Sequence, residues 1–108
     1  MGLVVGTDDP TLHLYEVHFE AGARTRWHSH SGEQILLCLQ GRCAVQMKNQ
    51  PVRIIAEKEA VRVPPGVVHW HGALAQPASH LAVNIDTVTS WLAEVSDTEY
   101  RQALERST

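Results

Sequence analysis

With 108 residues, 44% of them hydrophobic, the chain suffices for one compact domain over residues 1–108 and needs no disulfide or structural metal to bury a core. Nine basic residues against twelve acidic ones give a net charge of −3 with no basic cluster, which argues against a nucleic-acid partner. No apolar run of about 18 residues offers a membrane span, and MGLVVGTDDP lacks the basic-then-apolar order of a secretory signal, so a cytoplasmic protein is expected.

Short apolar runs alternate with turn signals along most of the chain, the pattern of an all-β barrel or sandwich. Leu12 to Phe19 reads as a strand with Tyr15, Val17 and Phe19 on one face, and Glu20 to Ala23 as a turn. Trp27 to His30 is short and extended. Ile35 to Gln40 is an apolar strand that Gly41 turns into Arg42 to Met47. Cys38 and Cys43 flank Gln40-Gly41, read as a two-residue hairpin turn, which sets them opposite each other on neighbouring strands as free thiols. Val52 to Ala56 and Ala60 to Val63 are strands divided by the charged turn Glu57-Lys58-Glu59. Pro64-Pro65-Gly66 breaks the chain before a strand from Val67 to Gly72, and His80 to Ile85 is the last strand. Ser96 and Glu99 then form a capping box for a short helix over Asp97 to Arg106, with Trp91, Leu92 and Val95 in a preceding helical turn.

Five of the seven histidines fall into two short groups. His28 and His30 are two apart, so on a strand both imidazoles enter the same space, and Gln34 can return to that face. His69 and His71 repeat the spacing after the Pro-Gly turn, and His80 opens the next strand. His13 and His18 lie outside these groups and read as solvated strand residues. Trp27 reads as a packing aromatic. Arg24 either pairs with an acidic residue or faces the pocket.

The segment GARTRWHSHSGEQILLCLQG, with Gly22, His28, His30, position 34 and Gly41 at their spacings, resembles the first motif of the cupins. Pro64, Gly66 and His69 resemble the second. The likeness runs from about Leu12 to Leu104. Three positions depart from the general pattern: Gln34 replaces the usual glutamate, Lys58 the usual turn glycine, and Ala73 the frequent asparagine. Gln34 and the His-Trp-His-Gly-Ala segment resemble a bacterial subgroup that includes manganese-dependent cupin hydroxynitrile lyases and cupins associated with carboxymuconolactone-decarboxylase-like proteins. The chain begins closer to the first motif than that subgroup does, so a strand or pocket wall is expected to be missing.

The resemblance implies a jelly-roll β-barrel with a short C-terminal helix, holding one divalent metal ion with His28, His30, Gln34 and His69. Three neutral imidazoles and an amide oxygen suit a borderline ion and leave its +2 charge undiminished. Manganese comes first, with iron, zinc or nickel as alternatives. His71 lies too close to His69 along the strand to share the ion. It is either an acid–base residue or a hydrogen-bond partner, and His80 faces the pocket with it. The leading expectation is a metal-dependent enzyme that moves protons on a small oxygenated substrate, of lyase, isomerase or decarboxylase type and possible likeness to hydroxynitrile lyases. A metal-dependent dioxygenase is the runner-up, and a non-catalytic module that senses a small ligand or metal is the alternative of another class. Apolar Ile35, Leu37, Leu39 and Trp70 on outer faces call for cover, which a sheet-to-sheet homodimer would supply.

Overall fold

Ten antiparallel strands form two five-stranded sheets, and one helix closes the described chain. The computed structural model of the protein describes residues 2–105; Arg106, at the expected end of the helix, lies outside them. One sheet runs in the order β1 (Gly2–Val5), β2 (Leu12–Phe19), β9 (Ala78–Ile85), β4 (Glu33–Gln40), β7 (Ala60–Val63). The other runs β10 (Thr89–Trp91), β3 (His28–His30), β8 (His69–Ala73), β5 (Cys43–Met47), β6 (Arg53–Ile55). The sheets face each other as a jelly roll and stay separate sheets, so the barrel is not closed by a continuous hydrogen-bond ladder.

Strand alternation fills the interior in tiers. On β4, Gln34, Leu36 and Cys38 point inward while Ile35 and Leu37 point out, as the alternating burial of the strand records. Register then lines up the neighbours. Gln34 sits beside Asn84, Leu36 beside Ala82, and Cys38 beside His80. Across the next strand, Asn84 meets His13, Ala82 meets Tyr15, and His80 meets Val17. The lower tiers are apolar, with Phe19, Leu36, Val45, Ile55, Val61 and Val63 in one buried cluster. Truncating Leu36 or Ile55 to alanine costs about 2–5 kcal/mol. The uppermost tier is polar, with Gln34, Asn84 and His13, while His80 lies lower, beside Cys38.

The hairpin expected at Gln40-Gly41 is not formed. Strands β4 and β5 belong to opposite sheets, because Gly41, at φ +72°, carries the chain over the rim and leaves no room for a β-carbon against the Pro77 carbonyl. Cys38 and Cys43 therefore meet across the core, with sulfurs 3.6 Å apart, as buried free thiols. Burial pushes the Cys43 thiol up to about 12, so it stays protonated. Lys58 occupies the position where glycine was expected and takes the backbone glycine would take, φ +68°. Its N–H donates to the Cys38 carbonyl at 2.8 Å.

Trp70 does lie on the outer face, yet it is fully buried, because the chain's own helix α1 (Asp97–Glu105) covers it together with Ala44, Val52, Val95 and Ala103. The Trp70 indole N–H donates to Gln46 Oε1 at 2.8 Å. The capping box at the helix start forms in both directions: Glu99 N–H donates to Ser96 Oγ and Ser96 N–H to Glu99 Oε1. Arg24 pairs with Asp97 at 2.6 Å, also donates to the Val95 carbonyl, and lies over the Tyr100 ring, so it anchors the helix and not a substrate. The expected helical turn around Trp91 is instead β10, paired with β3. Strand β1 was not foreseen either. It pairs with β2.

Candidate metal centre

The short strand β3 owes its position to three attachments. Trp27 N–H donates to the Ala93 carbonyl at 2.9 Å and Leu92 N–H returns to Trp27 at 2.8 Å. Strand β10 pairs with all three β3 residues. The turn Pro64-Pro65-Gly66 docks on its end through Gly66 N–H to the His30 carbonyl, at 2.8 Å. That turn, with Gly66 at φ +77°, launches β8, and His69 arrives directly opposite His28.

His28, His30 and His69 are buried, and their donor nitrogens lie within 4.8 Å of one another, an arrangement that could hold a metal ion. Each ring is oriented by its far nitrogen. His28 Nδ1 lies 2.8 Å from the Arg26 carbonyl, His69 Nδ1 3.0 Å from the Val67 carbonyl, and His30 Nδ1 2.8 Å from Thr89 Oγ1. A carbonyl can only accept, so Nδ1 of His28 and His69 carries the proton and Nε2 presents a lone pair. His30 Nε2 is buried without a hydrogen-bond partner among the described residues. Burial, reinforced by the neighbouring His28, pushes His30 and His69 down to about 4, and burial also lowers His28, so all three are neutral near pH 7.

Gln34, expected as the fourth ligand, is buried beside them, its Oε1 2.9 Å from His69 Nε2. An amide oxygen facing a bare imidazole nitrogen brings two acceptors together with no proton between them. A cation in contact with both resolves that conflict, and the neutral N and O donors suit a borderline divalent ion. The residues present therefore fit the metal that the motifs implied.

His71 and His80, the expected acid–base residues, form a second group. Both are buried, and His80 Nε2 lies 2.9 Å from His71 Nδ1. Among the described residues, His71 Nε2 and His80 Nδ1 have no hydrogen-bond partner. Burial lowers both, His80 to about 4 and His71 well below its ordinary value. His71 is outside the converging trio yet lines the same cavity, while His80 sits two tiers below Gln34, beside Cys38 and against Phe19.

The cavity measures about 500 Å³ and opens at the histidine end of the sandwich. Its wall adds residues that no motif indicated: Tyr15, Val17, Thr25, Asn84, Thr89 and Trp91. His13, expected only as a solvated residue, is exposed but also lines this cavity; His18 is exposed and pairs with Glu16. Asn84 could have been found by counting alternate positions from His80 along β9. Thr89 and Trp91 could not, since they reach the site only through the pairing of β10 with β3.

The profile of the cupin domain family matches residues 15–84. Over 90 residues the chain is 38% identical to an (R)-mandelonitrile lyase of Granulicella tundricola, covering 80% of this chain and 69% of that protein. A cupin-like protein of Thermotoga maritima superposes with a TM-score of 0.89 at 38% identity, covering 94% of this chain and 82% of the other. A DMSP lyase of Ruegeria pomeroyi shares the fold, with a TM-score of 0.71 at 23% identity, over 82% of this chain and 47% of its own.

Proposed function

This chain belongs to the cupin domain family, and from that premise we propose that it is a metal-dependent lyase acting on a small hydroxylated organic molecule, of the hydroxynitrile type. The observation that carries the reading is the proximity of two unlike histidine groups, with His28, His30 and His71 lining one cavity. One group offers bare nitrogens converging on a point. The other offers a hydrogen-bonded pair with two free ring nitrogens.

In this reading His28, His30, Gln34 and His69 hold one divalent ion, manganese first and iron next, with zinc and nickel also compatible with the donors. When bound, the ion supplies Lewis acidity at its full +2 charge, because none of the four ligands is anionic. The remaining chemistry belongs to the chain. His71 Nε2 takes the proton of the substrate hydroxyl as the carbon–carbon bond to the nitrile breaks, and the departing cyanide receives a proton from the same pair. His71 Nε2 then gives that proton to the cyanide, so that the carbonyl product and hydrogen cyanide leave in balance, and the His71 Nδ1–His80 Nε2 hydrogen bond spreads the transient charge over both rings. Tyr15, Val17 and Trp91 give the cavity an apolar wall for the organic part of the substrate. The name of the Granulicella relative supports this substrate class.

Metal analysis of protein purified without chelator, followed by benzaldehyde release from mandelonitrile before and after chelation, tests the proposal. Release that is lost on chelation and restored by manganese supports it. Oxygen uptake without benzaldehyde would point to a dioxygenase, and a bound ion with neither reaction to a sensing module.

We further propose a homodimer formed through the outer face of the β1–β2–β9–β4–β7 sheet. In contrast to the helix-covered sheet, this one bears exposed Leu3, Leu39 and Ile85 beside half-buried Ile35, Leu37, Leu81 and Val83 with no helix over them. A monomer at micromolar concentration in sedimentation would overturn it.

A further inference from the structure

The two ends of a glutamine amide have nearly the same shape, and only the oxygen has a lone pair to give a cation. Something must decide which end of Gln34 faces His69. In this chain the deciding contact is with Asn84. Gln34 Nε2 donates to Asn84 Oδ1 at 2.8 Å, and this leaves Oε1 directed toward His69 Nε2. Both residues are buried, and they are direct partners across β4 and β9, so the backbone register fixes their separation.

We infer that Asn84 is a positioning residue for the metal centre. Its Oδ1 holds the NH₂ of Gln34 away from the ion, and its own Nδ2 is thereby turned to the cavity as a donor for an acceptor group on the substrate. The second half follows from the first. Asn84 lines the cavity, and its Oδ1 is committed to Gln34. Its Nδ2 has no hydrogen-bond partner among the described residues and is absent from the buried unpartnered atoms, so it reaches the open space. A carbonyl oxygen or nitrile nitrogen is the kind of group it would receive. With no acceptor at position 84, the Gln34 amide gains by flipping, because its NH₂ would then donate to the bare His69 Nε2. The flipped amide has no lone pair for the ion.

The inference rests on Gln34 being a ligand, and the experiment separates the two claims. Manganese affinity of the full chain is measured by calorimetric or electron-paramagnetic titration for wild type, Asn84→Leu, Asn84→Asp, Gln34→Ala, the Gln34→Ala/Asn84→Leu double variant, and His69→Ala. Asn84→Leu should weaken manganese binding about 10–100-fold, the range for losing a residue that orients a ligand. Asn84→Asp, which keeps the acceptor, should hold affinity within a few-fold of wild type while raising KM, since it lacks the donor. In the Gln34→Ala background Asn84→Leu should have no further effect, whereas a merely structural role would add its full loss. If Asn84→Leu does not fold, Asn84→Ala makes the same comparison. Wild-type affinity in Asn84→Leu, with binding abolished in His69→Ala, overturns the inference and leaves the metal reading standing. Unchanged affinity in His69→Ala overturns the metal reading itself.

Discussion

The two histidine groups are built from the same residue type, on overlapping strands, and differ in where each ring spends its second nitrogen. In the trio, every Nδ1 is tied to a backbone carbonyl or a threonine outside the group, so the Nε2 atoms are left to converge. In the pair, the rings are tied to each other, and the leftover nitrogens are one on each ring. In the proposed function, outward ties suit a group to receive a cation, whereas an inward tie suits a pair to share a proton. His69 and His71 share one strand face and still fall into different groups, so the hydrogen-bond partner decides the role and the spacing alone does not.

The sharpest way to break the comparison is to delete one member of each group. His69→Ala should abolish manganese binding and leave the sandwich folded, since the apolar tiers hold it together. His71→Ala should keep the metal and lower turnover by about 10²–10⁴-fold, the usual weight of a proton-transfer residue. Titration with manganese and a mandelonitrile assay on both variants read this directly. Metal loss in His71→Ala, or full occupancy in His69→Ala, would dissolve the distinction.

Burial is what the groups have in common, and acid should reveal it. His30, His69 and His80 are pushed by desolvation down to about 4, against about 6.5 in the unfolded chain. The unfolded chain therefore binds more protons in between. In chelated protein this stability is full above about pH 6.5 and is lost as pH falls through about 4, on the order of 1 kcal/mol per histidine for each unit of difference. Melting temperatures in chelator from pH 7 to 4 should fall steadily, and a flat profile would contradict neutral burial.

The smallest expected effect concerns the odd ligand. Gln34→Glu adds a negative charge to the trio's side alone. It should tighten manganese binding about tenfold through attraction to a +2 ion and lower turnover by weakening Lewis acidity. No change in either quantity would put Gln34 outside the ligand set.

Much of this was legible before any coordinates. The paired spacings of His28/His30 and His69/His71, with the glycines around them, carry the resemblance that implied the jelly roll, and alternation along a strand, a local property, puts each pair on one face. The rim crossing at Gly41 was not legible: a Gln-Gly pair between apolar runs suits a hairpin equally well, and only packing of the Pro77 carbonyl against Gly41 distinguishes them. Trp70 was placed on the correct face, and what covers it depended on a helix arriving from thirty positions further along the chain. Strand β10 and the tie from Thr89 are likewise products of register between distant segments, invisible to any window of sequence.

Trp91 has a consequence for optics. Its ring lies 4.8 Å from that of His28, centroid to centroid, and is 62% exposed, whereas Trp70 is sealed beneath the helix and Trp27 lies under the Lys48 ammonium. Of the three indoles, only Trp91 touches a ring of the trio, and it alone both faces water and borders the cavity. Its emission is therefore expected to respond to a change at the neighbouring imidazole. A paramagnetic ion at that ring should quench the long-wavelength part of the fluorescence and leave the Trp70 component unchanged, so the protein carries its own lamp at the mouth of the cavity.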